Sequence, residues 1–248
     1  MSRAHADGPL ARRSFLSRMG AGFTAFGAAF GAAGAAAAQS APAASAPAAA
    51  PAPSGAGWQP ARHGEDDWLD QTTAKHRIFY DTTTPSGAAE AIFFARNTFA
   101  ANASGYKLAD ADITQVVCLR HSSTSFAFTD AMWAKYGAAL SERAANFLDP
   151  KTKAVPTANV FMSADYGTAL PNNGVTIDAM AKRGVRFAVC TLGTRAAASL
   201  IAQKTGANAD AVFKELTENL VPNARMVPAG IVAVNRAQER GYSFSYVA

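Results

Sequence analysis

Two runs constrain the fold more than anything else in the chain: Ile113–Leu119 (ITQVVCL) and Val185–Cys190 (VRFAVC). Both are short, largely apolar and rich in β-branched residues. A strand with so little polar alternation is one buried on both faces, as in a parallel sheet covered by helices. Gly184 stands before the second run, and Arg120-His121-Ser122-Ser123-Thr124 breaks the first. A further strand is predicted at His76–Tyr80, stopped by the turn-rich Asp81–Gly87. A last one at Tyr242–Tyr246 alternates strictly and sets three aromatics on one face. Ala88, Ile92, Ala95 and Phe99 recur at helical spacing and predict a helix over about Ala88–Ala101. Other helices are expected at Asp130–Tyr136, Ala138–Phe147, Ile177–Arg183, Gly193–Lys204 and Asp210–Asn219. The final helix runs from Pro228, suited to a first turn, toward Gly241, suited to a left-handed close. Asp149–Val175 reads as a long loop with one short strand at Val160–Met162. Strands alternating with helices predict an α/β domain with a mostly parallel sheet.

The sequence before Trp58 is of a different kind. Of 248 residues, the 43 from Met19 to Ala61 include no charged side chain, and Ala41–Pro53 consists only of Ala, Pro and Ser. Such a segment cannot bury enough apolar surface to offset its ordering entropy. Arg12, Arg13 and Arg18 precede the weakly apolar Gly20–Ala38, and Ala36-Ala37-Ala38 offers a small-residue cleavage site. Arg12-Arg13-Ser14-Phe15-Leu16 resembles the twin-arginine export motif. Residues 1–38 are therefore expected to be a signal peptide and 39–57 a semi-extended linker, with one domain over 58–248. Retention of the segment as a feeble membrane anchor is the alternative. A cleaved signal leaves a periplasmic protein without a stable membrane span.

Charge excludes one function class. The formal charge of +5 comes from 23 basic and 18 acidic residues. Removing Arg3, Arg12, Arg13, Arg18 and Asp7 leaves 19 and 17. The near-neutral remainder argues against nucleic-acid binding. Two cysteines, Cys118 and Cys190, exclude a disulfide framework and an all-cysteine zinc site within one chain. His63 and His76 have no metal-ligand spacing, so no metal site is expected. The turn Thr82–Gly87 lacks the lysine of a P-loop and the glycines of a dinucleotide fingerprint, and no G-x-S-x-G or H-E-x-x-H occurs. No cofactor is expected.

In an open parallel sheet, ligands bind beyond the carboxyl ends of the strands. That rule selects Asp81–Gly87, Arg120–Thr124 and Cys190–Arg195. Cys190 closes a strand and precedes a helix, where the helix start favours anions and thiolates. Arg195, one turn in, adds positive charge if it points back. Arg120 and His121 could hold an anion or move protons. Thr84 and Ser86, before a helix, could cradle an anion. Each has a plainer reading: a small buried core cysteine, a strand-end pair satisfied locally, an ordinary strand-to-helix turn. Cys118 lies inside its strand and is read as core. A Cys118–Cys190 disulfide needs converging Cβ vectors that side chains abreast on parallel strands rarely provide.

Gly184-Val185-Arg186-Phe187-Ala188-Val189-Cys190 resembles the cysteine-ending strand of DsrE/DsrF-like proteins. Val227-Pro228-Ala229-Gly230-Ile231-Val232 through Arg240-Gly241-Tyr242 resembles that family's closing helix and strand. The resemblance covers about Lys75–Val247. It implies a three-layer α/β/α fold with about five mainly parallel strands, often in homo- or hetero-oligomers. It also implies a sulfur relay through a cysteine persulfide, with Cys190 at the acceptor position and a sulfur donor or acceptor protein as partner. Two features depart from the pattern: relay members are usually cytoplasmic, and Ser125–Val175 exceeds the compact core. The expectation is a periplasmic thiol protein handling sulfur or redox through Cys190. The alternative is a non-catalytic ligand-binding or assembly module.

Overall fold

A computed structural model describes residues 59–248. The expected signal peptide and linker lie outside the described residues. A 3-10 turn, Gly64–Leu69, leads into the sheet. The strands are β1 (His76–Thr82), β2 (Ile113–Leu119), β3 (Arg186–Cys190), β4 (Ala224–Val227) and β5 (Ser243–Val247). The helices are α1 (Pro85–Tyr106), α2 (Asp130–Arg143), α3 (Ile177–Lys182), α4 (Thr191–Thr205), α5 (Ala209–Glu218) and α6 (Gly230–Gln238). The five strands run in the order β4-β3-β2-β1-β5, every pair parallel.

Connection handedness dictates the layers. From β1 to β4 the chain steps across the sheet in one direction, and right-handed crossovers then put every intervening helix on one face. The return from β4 to β5 runs the other way, so α6 must lie on the opposite face. The core divides accordingly. Tyr80, Val117, Leu119, Phe187 and Val189 pack with α1 to α5. Phe79, Val116, Cys118 and Ala188 pack with α6, Trp68, Leu69 and Tyr242. The result is the expected α/β/α sandwich.

Several expectations need adjustment. The fifth strand is β4, whose half-exposed ARMV carries no apolar run. Val160–Met162 is a 3-10 turn and not a strand. The two helices expected between Asp130 and Phe147 are one, α2, kinked at Tyr136 with φ −124°. The helix after β1 begins at Pro85 because the Thr84 hydroxyl accepts the Gly87 amide at 2.9 Å and Pro85 suits the first turn.

The long β2–β3 connection is pinned to the core. Buried Asn159 donates to the carbonyls of Phe126 (2.9 Å) and Phe128 (2.8 Å). Phe126 stacks on Phe161 at 4.3 Å and meets Phe147 edge-on at 5.2 Å. Asp149 accepts from the amides of Lys151 and Thr152 and from the Tyr166 hydroxyl at 2.5 Å. Among the described residues no helix is long and apolar enough to cross a membrane.

Candidate functional site

Strand β3 leads into α4 on one face of the sheet, while its neighbour β4 leads into α6 on the other. A crevice must open where adjacent connections diverge. The residues at that point are Cys190 at the end of β3 and Ala229-Gly230 at the start of α6. A pocket of about 230 Å³ lies there, lined by Cys190, Leu192, Gly193, Ala229, Gly230 and Ile231 together with Arg120, His121 and Arg143.

Cys190 ends its strand and caps the next helix: its Sγ accepts the Gly193 amide at 3.3 Å, and its carbonyl accepts the Thr194 hydroxyl at 3.0 Å. The residue is 7% exposed. Gly193 cannot be larger, because a Cβ there would run into the Thr124 side chain. Helix α6 starts at Gly230, and the residue before it, Ala229, supplies no side-chain cap. Its first-turn amides, which lack intrahelical acceptors, therefore begin beside the thiol pocket. Two helix starts give this crevice a positive potential before any side chain is counted.

Arg120 supplies one guanidinium. It grips Asp81, which is 2% exposed, through Nε at 2.7 Å and Nη2 at 2.8 Å. The hydrogen bonds to Asp81 raise the Arg120 pKa above its usual value. Register explains the meeting: Asp81 pairs with Cys118, and Arg120 lies two residues on along the same face. The start of α6 presses onto both. A Cβ on Gly230 would fall 2.6 Å from Arg120 Cβ and 2.9 Å from Cys118 Sγ. Cys118 is wholly buried, and burial followed by the Asp81 charge pushes its thiol well up. Both cysteines are free. Cys118 pairs with Ala188, so Cys190 is its diagonal neighbour. Diagonal Cβ atoms stand about 7 Å apart, beyond disulfide reach.

The turn after β2 is held by a buried hydroxyl pair. Thr82 donates to the Cys118 carbonyl at 2.7 Å, and Ser123 sits within 3.0 Å of the Thr82 carbonyl and 2.8 Å of the Arg120 carbonyl. This fixes His121 in the left-handed region at φ 56°, a costly conformation for a residue other than glycine. Its Nδ1 lies 3.0 Å from the Ser122 hydroxyl. His121 and Arg120 also line a second pocket of about 360 Å³ that contains Thr84.

The structure thus brings Cys190, Arg120 and His121 to one pocket and places Thr84 in the next. Thr84 acts there as the cap of α1. Ser86 faces along α1, 3.5 Å from Glu90. Arg195 does not join the rim: its guanidinium pairs with Asp210 at 3.3 Å and stacks on Phe213 at 4.1 Å. One turn into α4, its direction is set by the α5 helix packed alongside. The second arginine lining the thiol pocket, besides Arg120, is Arg143, from the end of α2, and its buried Nε has no hydrogen-bond partner among the described residues. Nothing in its local sequence marks it out. Among the described residues, no group of three or more His, Cys, Asp or Glu could hold a metal.

The arrangement can hold a small anion beside a thiol. In comparisons with family models, curated proteins and solved structures, nothing matches this chain.

Proposed function

We propose that the chain is an exported, periplasmic DsrE-like protein that carries sulfur on Cys190 as a persulfide. The observation that carries this reading is the placement of Cys190 Sγ in the crevice between β3 and β4. It accepts the Gly193 amide there and shares the pocket with the Arg143 guanidinium and the uncapped start of α6. The chemistry is a thiol–disulfide-type exchange. The Cys190 thiolate attacks the outer sulfur of a donor persulfide, the donor's S–S bond breaks, and the donor leaves as a thiolate. No net oxidation occurs. The two helix starts favour an anionic donor group entering the crevice.

The apolar mouth supports delivery by a protein partner, either a donor protein or another subunit. Leu192 is 64% and Ile231 58% exposed, and both line the thiol pocket. Apolar side chains clustered at a site mouth are a usual mark of docking. The twin-arginine-like segment supports export of the folded domain.

The near-complete cover over Cys190 favours a second reading, a non-catalytic module that holds a small anion at the same crevice. Exposing the full chain to a low-molecular-weight persulfide donor separates the two. A sulfur atom added at Cys190 supports the carrier, whereas an unmodified Cys190 that still binds an anion at the crevice supports the module.

A further inference from the structure

We infer that a second anion site lies at the opposite end of the sheet, between the Gly64–Leu69 turn and the starts of β3 and β4. It would take a small oxyanion, a carboxylate or phosphate group. The site is a cavity of about 390 Å³ lined by Trp68, Gln71, Arg186, Asn223 and Arg225, with no carboxylate among its lining residues.

The sheet register builds it. Arg225 pairs with Ala188, and Arg186 precedes Ala188 by two, so both arginines project to the α6 face. There they meet Trp68: Arg186 stands 5.2 Å and Arg225 5.9 Å from its ring centre. Arg186 is held in place, donating to the Trp68 carbonyl and, at 2.9 Å, to the Tyr242 hydroxyl. Both acceptors are neutral, so its charge is uncompensated. Arg225 is exposed on the edge strand.

Two carboxylates flanking Trp68 are paired with other arginines, and neither lines the cavity. Asp66 faces Arg236 at 3.6 Å, and Asp70 pairs with Arg62, Arg77 and Arg240. Trp68 itself is 4% exposed, and its indole N–H is buried without an acceptor among the described residues. A cavity with two guanidinia on one aromatic wall, a free amide at Gln71 and no acid in its lining selects a planar or tetrahedral oxyanion over a cation or a neutral ligand. This site is separate from Cys190 and independent of the carrier reading.

The test is a titration of the full chain with inorganic phosphate and, separately, citrate, at ionic strength held constant with chloride. The Trp68 indole N–H resonance, identified by its loss in Trp68→Phe, is the readout. The expected result is a saturable shift with at least one of the two ions. Phosphate alone would identify a phosphate site, and citrate alone a carboxylate site. Arg225→Gln, at an exposed position, should weaken that binding about tenfold, the worth of one charge-assisted contact, while Cys190→Ser leaves it unchanged. An indole resonance that moves with neither ion, or an Arg225→Gln protein that titrates like the parent, would overturn the inference.

Discussion

The amide of Gly193 donates to the sulfur of Cys190 at 3.3 Å, so the residue that ends β3 is also the cap of α4. The side chain proposed to do chemistry therefore also has a structural task. Serine preserves that task, since its hydroxyl is a strong helix cap, and alanine does not. Cys190→Ser should be more stable than Cys190→Ala by about 1 kcal/mol. Urea denaturation of the two variants checks this. Equal stabilities would mean that a side-chain acceptor at position 190 contributes nothing as a cap.

Gly230 should be intolerant of any side chain. A Cβ there lies 2.6 Å and 2.7 Å from Arg120 side-chain carbons and 2.9 Å from Cys118 Sγ. Both neighbours are fixed, Arg120 by Asp81 and Cys118 by its strand. Gly230→Ala is expected to lift the start of α6 and cost about 1–3 kcal/mol, the usual range for overpacking. The displaced helix should also raise the alkylation rate of Cys190. A thermal melt and a labelling time course measure the two effects.

The two arginines considered at the sequence level should behave oppositely. Asp81→Asn leaves Arg120, whose side chain is 23% exposed, without its charge partner, and breaking such a pair costs about 3 kcal/mol. Arg195→Ala removes an exposed pair with Asp210 and should cost no more than about 1 kcal/mol. It should leave Cys190 labelling unchanged. Denaturation midpoints compared across the two variants decide the matter.

Stability should fall at both extremes of pH through the β2–β3 connection. Desolvation pushes the Asp149 carboxyl up, but the bonds from Tyr166, Thr152 and Lys151 together outweigh it and hold the group low. A carboxyl lower in the folded chain than in the unfolded one contributes stability that is complete above the unfolded value, near 4, and is lost as pH falls through the folded one. The Tyr166 phenol goes the other way, pushed up to about 12 by burial and then by Asp149. Its contribution is complete below the unfolded value, about 10, and is lost as pH rises toward the folded one. Tyr166→Phe should flatten the alkaline limb of a stability–pH profile, and Asp149→Asn the acid limb. Unchanged limbs would show that the pair does not anchor this segment.

How far the sequence led depended on burial. Strands β2 and β3 are covered on both faces, so their residues had to be apolar and could be read directly. Strand β1 showed the same signal more weakly, and β5 showed alternation. Strand β4 is four residues at an edge, half exposed and carrying Arg225, and it leaves no such trace. Missing it concealed the divergence of α4 and α6, which is what creates the thiol pocket. Cys190 was visible because a strand end before a helix is a local pattern. Arg143 leaves no such trace, since a basic residue closing a helix is ordinary and only the packing of α2 against α4 brings it to the pocket. Arg195 was misplaced for the converse reason: its helix position was right, but its direction depends on Asp210 and Phe213, a contact between helices.

On the carrier reading Cys190, and not Cys118, is the working thiol. The most direct test is mass spectrometry of the folded full chain after brief exposure to a persulfide donor, with alkylation of each cysteine mapped by peptide. A working Cys190 gains ~32 Da on its peptide, one sulfur atom from the exchange. Cys118, whose thiol is buried and pushed well up, should stay unmodified, and Cys190→Ser should gain no sulfur. Added sulfur on Cys118, or none on either cysteine while the chain remains folded, would contradict that reading.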